Sequence, residues 1–204
     1  MPSLVGDYAD FRAETARLNN LLASTVTLAP AHRKHIAEIA LLRLAILIEN
    51  SMKSVFCKLL CGADFIDGTS PLLIAPAQRN APLAVKAMKD HGRQKSKYSL
   101  SWNDGAEIRD NISMLIDRND NCHAELIKHA GFMSEIRWIR NHIAHRNLGT
   151  RKNFVKLIRR YYGAKISGVT CGNLLLSPRV SSPRPLIATH IVSANVMMKD
   201  LLRG

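Results

Sequence analysis

Aromatic residues make up 5% of this 204-residue chain, and its 16 acidic residues are outnumbered by 29 lysines and arginines. Strands draw on aromatic side chains. Here Leu, Ile and Ala are plentiful instead, which favours packed helices. Cysteine is sparse as well: Cys57 and Cys61 lie four apart, Cys122 and Cys171 stand alone, and no Cys-x-x-Cys pair occurs. That argues against a zinc knuckle or a thiol redox motif. Four irregularly spaced cysteines suit a reducing cytosol. No apolar run is long. Residues 40–48 are interrupted by Arg43 and followed by Glu49, short of the roughly 20 residues a bilayer span needs. The first residues lack the basic and apolar parts of a secretory signal. A soluble, cytoplasmic protein with no membrane partner is the expectation. P-loop, glycine-rich dinucleotide fingerprint and serine elbow are all missing, and so is any repeat.

What is present is charge and helical periodicity. The formal net charge is +13, with 47% hydrophobic and 22% charged residues, a globular composition. Such an excess points to a polyanionic partner, nucleic acid ahead of a membrane surface, against the plain alternative of a solvated basic surface. The chain reads as one domain, 1–204, large enough to bury a core. Helices are expected over residues 7–23, 31–60 (started by Pro30 and ended by Gly62), 83–90 and 106–116. A further helix begins near Asn121 and bends near Gly131. Gly149 reads as its stop, and Thr150 as the cap of a helix through Tyr162 ended by Gly163. Residues 164–185 look irregular, with a short strand at 173–176, before a last helix over 186–202. The architecture predicted is an all-α helical bundle with long central helices and one irregular C-terminal loop region.

Within that pattern, Arg140-Asn141-His142-Ile143-Ala144-His145 stands out. Ile136, Ile139 and Ile143 mark a core stripe at three- and four-residue spacing. On a continuous helix Asn141 and His145 share a face, and Arg140 flanks them. A fixed cation, an amide and an imidazole that titrates near neutrality are what phosphodiester chemistry requires when no metal takes part.

The run resembles the Arg-x(4–6)-His signature of the HEPN superfamily, the "higher eukaryote and prokaryote nucleotide-binding" helical domains, in its Arg-Asn-x-x-x-His form. Leu100-Ser101-Trp102-Asn103, followed by an amphipathic segment and an acidic turn, is similar to a bacterial branch. The resemblance covers residues 31–163. It implies a metal-independent endoribonuclease with Arg140 and His145 as catalytic pair, acting as a toxin or in antiviral or abortive-infection defence. It also implies RNA as partner, no cofactor, a homodimer whose motif helices share one cleft, and an antitoxin or other inhibitor protein. Other members keep the fold without the chemistry, so a non-catalytic RNA- or protein-binding module is the alternative. A DNA-binding regulator has only the charge in its favour, with no reading helix.

Each further candidate has a bland counterpart. Asn141 orients His145 or donates to the phosphate. Glu49, on the helix expected to be central, is a supporting carboxylate that would pair with Arg140, or it simply reaches solvent. Arg146, Arg151, Lys152, Arg159 and Arg160 are candidate RNA contacts, with Tyr161 or Tyr162 stacking on a base. Phe154, Leu157, Ile158 and Tyr161 read equally as a core face. His142 with Arg146 reads as solvated surface. His142 with His145, like His32 with His35, lacks the further ligands a metal site needs. On a continuous helix Arg140 and His145 diverge by about 140°, so one subunit surrounds a phosphate poorly.

Overall fold

The computed structural model of the chain describes residues 3–179 and 182–204. Its helices are α1 (Leu4–Ser24), α2 (Pro30–Leu60), α3 (Ala81–Asp90), α4 (Gly105–Ile112), α5 (Asn121–Lys128) and α6 (Ala130–Ala144). They continue with α7 (Leu148–Tyr162), α8 (Cys171–Leu176) and α9 (Leu186–Leu201), and a small hairpin pairs β1 (Pro178–Arg179) with β2 (Ser182–Pro185). The protein is all-α. Among the described residues, no helix is long and apolar enough to cross a membrane.

Pro30 occupies the first turn of α2, where its missing N–H costs nothing and its fixed φ suits a helix. From Ala37 onward, α2 buries residues on most of its circumference, including Leu41, Leu44, Ile48, Met52, Phe56 and Leu59. It is therefore the axis: α1, α3, α6, α8 and α9 all pack on it. α1 lays the stripe Leu4, Phe11, Thr15 and Leu18 against it, spaced by whole helical turns. α9 buries a like stripe of Ile187, Ile191, Ala194 and Met198 and packs on both α1 and α2.

Four departures from the sequence reading have local causes. The motif helix is broken at His129, not bent at Gly131, and His129 is held by Asp200 Oδ2 of α9 at 3.0 Å. α4 ends at Ile112 because the chain beyond it pairs with the preceding loop. Ile74 N donates to Leu115 O (2.9 Å), and Asp117 N to Leu72 O (2.7 Å). Residues 173–176, read as a strand, belong to helix α8, started by the Thr170 hydroxyl accepting from Asn173 N (3.1 Å). Finally α6 stops at Ala144, short of Gly149, because Asn147 caps the next helix.

That last stop shapes the site. Asn147 Oδ1 accepts from Thr150 N (2.9 Å) and the Thr150 hydroxyl accepts from Asn147 N (3.3 Å), a reciprocal box that satisfies orphan donors of α7. Thr150 is thus the third residue of α7 and not its cap. At the far end Gly163 takes φ 70°, the left-handed conformation that closes the helix, as the sequence predicts. Glu135, buried on α6, accepts from Tyr161 OH (2.7 Å) and Arg160 Nη1 (2.9 Å) and so clamps α6 to α7.

Candidate active site

The motif lies on the last turns of α6, which Ile136 and Ile139 anchor in the core. Half-buried Arg140 donates from Nη1 to Asn141 Oδ1 at 2.9 Å. Asn141 therefore orients the guanidinium of its neighbour, where the sequence predicts that it orients His145 or donates to the phosphate. Arg140 lines a narrow crevice between α2 and α6 together with Glu49 and Asn103. The expected Glu49–Arg140 pair does not form among the described residues. Instead Glu49 Oε1 accepts from Asn103 Nδ2 at 3.2 Å. Asn103 is delivered there by its neighbours. Trp102 stacks on Phe56 of α2, with centroids 6.4 Å apart, and Ser101 O accepts from buried Asn111 Nδ2 at 2.7 Å. The Leu100–Asn103 segment noted in the sequence is thus a strap that brings an amide to the crevice holding Arg140.

His145 is the first residue beyond α6, exposed, with φ −137° and ψ 87°. The 100° rotation per residue that would set it beside Asn141 does not reach it. Its N–H still donates to Asn141 O (2.8 Å), and its carbonyl accepts from Asn147 N (2.8 Å) and the Thr150 hydroxyl. The main chain of the turn is fixed while the imidazole faces solvent.

His142 departs furthest from its reading as solvated surface. Its ring stacks on Phe154 (4.5 Å between centroids, 16° between planes), and Nδ1 lies 3.2 Å from Thr150 Oγ1. Burial, with help from the Arg146 and Arg151 charges and against Glu38, holds its pKa below the usual imidazole value. It is a neutral wall at pH 7. The wall belongs to a cleft of about 850 Å³ between the end of α6, α7 and the loop 163–170. Phe154, Val155 and Ile158 give it apolar lining, and Arg146, Arg151 and Lys165 supply cations; among the described residues no carboxylate lines it. Lys165 and the paired rings were not legible in the sequence, because His142 and Phe154 lie twelve positions apart across a turn. The Asn147-x-x-Thr150 spacing was the signal that could have placed that turn.

The remaining candidates divide. Lys152 and Arg159 are exposed on α7. Among the described residues, Arg140, Arg146, Arg151, Lys152 and Arg159 form no ion pair with a carboxylate, whereas Arg160 is committed to Glu135. The hydroxyls of both tyrosines are engaged, Tyr161 by Glu135 and Tyr162 by Ser177 (2.9 Å). Glu125, His129 and Asp200 bring ligand-type atoms within 4.8 Å of one another on α5 and α9. Lys128 Nζ closes that cluster at 2.9 and 2.8 Å from the two carboxylates. The α7 cations give a direct test. Arg151→Ser with Lys152→Ser should weaken RNA binding and lower the slope of log K against log salt by about 1.4, roughly 0.7 per phosphate contact on a single strand. Fluorescence anisotropy over a salt series measures it; an unchanged slope returns both to the solvated surface. Arg160 is a poor choice for this purpose, since its loss would also take one of its partners from a buried carboxylate.

Compared with protein-family models, curated proteins and solved structures, the chain finds no match.

Proposed function

We propose that this chain is a metal-independent endoribonuclease of HEPN type, a cytoplasmic toxin or antiviral, abortive-infection effector. The observation that carries the reading is the placement of His145. It stands exposed at the end of α6, one turn from a hydrogen-bonded guanidinium–amide pair and directly before Arg146, which lines a cleft with no carboxylate among its described lining residues. The chemistry follows from those groups. His145 takes the proton of a ribose 2′-hydroxyl, whose oxygen attacks the adjoining phosphorus. Arg140 offsets the charge on the non-bridging oxygens with its planar donors. The bond to the 5′-oxygen breaks, and that oxygen needs a proton in turn. The products are a 2′,3′-cyclic phosphate and a 5′-hydroxyl.

Two proton transfers call for two titratable groups, and His142 is tied to Thr150 and Phe154. A second copy of the motif across a two-fold axis supplies the second imidazole, so the working form is a homodimer. An antitoxin or other inhibitor protein is the partner that keeps such an activity in check. Incubation with RNA in excess chelator tests the reading. Cleavage should proceed, and a DNA strand of the same sequence should survive because it lacks the attacking hydroxyl. Cleavage of the DNA strand would sink the mechanism. A folded dimer that binds RNA and cuts none would leave the chain a non-catalytic binding module.

A further inference from the structure

A scissile phosphodiester needs donors around it; it has no use for an apolar wall. The cleft beside the motif offers both. Half-buried Val155 and the 43% exposed Ile166 give it apolar surface, backed by the buried Phe154 and Ile158 of α7. Arg146, Arg151 and Lys165 line the same cleft. Its volume, about 850 Å³, falls within the range of about 300–1,000 Å³ typical of sites that enclose a small molecule. A ligand matching this lining has an apolar body and carries negative charge. A peptide anchor would satisfy the apolar side alone. Among the described residues these cations have no carboxylate partner and no carboxylate lines the cleft, which selects an anion, and Arg146 adjoins His145 in the chain.

We infer that this cleft is a nucleoside subsite: it receives one unstacked base of a single-stranded RNA, with the neighbouring phosphates held by Arg146, Arg151 and Lys165. The strand is thereby registered so that the next phosphodiester meets Arg140 and His145. The inference rests on RNA being the partner, as proposed above. It adds that the substrate is single-stranded at the cut, since a base inside a duplex cannot enter. The His142–Phe154 stack and the Thr150 hydroxyl support the cleft where it meets α6.

The test uses a ligand that the enzyme cannot cut, so binding is read apart from chemistry. Anisotropy compares a 2′-O-methyl oligoadenylate of about eight nucleotides with an abasic oligomer of equal length and charge. The protein should bind the base-bearing oligomer about tenfold more tightly, the scale expected for one base held against an apolar surface. Ile166→Asn removes an exposed apolar wall, and Ser167→Leu fills the cleft from its outer loop. Both should cut the preference to under about twofold while leaving the abasic oligomer's affinity unchanged. Equal affinity for the two oligomers in the unaltered protein overturns the subsite, as does a preference that survives both substitutions, or no binding of either oligomer. The two proposals fail separately. Base preference without RNA cleavage removes the catalytic reading and keeps the subsite, and cleavage without base preference does the reverse.

Discussion

His145→Ala should lower the rate of RNA cleavage by about a hundredfold or more, the scale for removing a general acid–base. The fold should be untouched. The imidazole is exposed beyond the end of α6, and the bonds that hold the turn run through the main-chain N–H and C=O of residue 145, which alanine retains. Single-turnover cleavage beside a thermal melt separates the two effects. Full activity in the variant would end the catalytic assignment; a lowered melting point with proportionate loss of activity would make His145 structural. Arg140→Ala should lose activity on a similar scale through the charge it no longer offsets. Mixing the two variants probes the dimer. If each cleft takes Arg140 from one subunit and His145 from the other, random pairing restores about a quarter of the clefts. If each cleft needs both full sets, the mixture stays inactive. A wild-type protein active as a monomer at all concentrations would rule out both.

The second large effect is on stability. Gly172→Ala should destabilise the protein by about 1–3 kcal/mol, the usual cost of overpacking, and lower the melting temperature by about 3–10 °C. Gly172 sits at the start of α8 where it meets α2, and its N–H donates to Glu38 Oε1 at 2.8 Å. A Cβ there would stand 2.6 Å from Lys34 Cβ and 2.8 Å from the Lys34 carbonyl oxygen. A side-chain tip could swing aside, but backbone and Cβ cannot move without parting the helices. Calorimetry of the variant checks this. A melt within about a degree of wild type would mean that α8 relaxes away from α2 at little cost. As a control, Gly6→Ala meets nothing within 4 Å on α1 and should be neutral or slightly stabilising.

Much of the fold was legible because its signals are local. Pro30 and Gly62 bracket α2, Gly163 closes α7, and the apolar stripes of α1, α2 and α9 follow the helical repeat, so these elements fall within a few residues of their predicted bounds. The candidate site was legible only as composition. Arg140, Asn141 and His145 are adjacent in the chain whatever the fold, and periodicity correctly assigns Ile136 and Ile139 to the core. Their mutual arrangement depends on a choice between two continuations of the chain after Ala144. Helix propagation would carry α6 through His145. The Asn147–Thr150 box starts α7 earlier, and Glu135 holds the resulting hairpin shut.

What the sequence determined by itself, then, is the helical class, the basic excess and the residue types of the motif, since each is set by composition or by spacing within one helix. Only the tertiary structure decided that Glu49 accepts from Asn103 and not from Arg140, that Arg160 is spent on Glu135, and that His142 stacks on Phe154 to wall a cleft. All three are contacts between residues 12 to 54 positions apart. The reason is physical: a buried or half-buried polar group takes whichever partner packing brings within reach, and packing is a property of the assembled helices, not of any one of them.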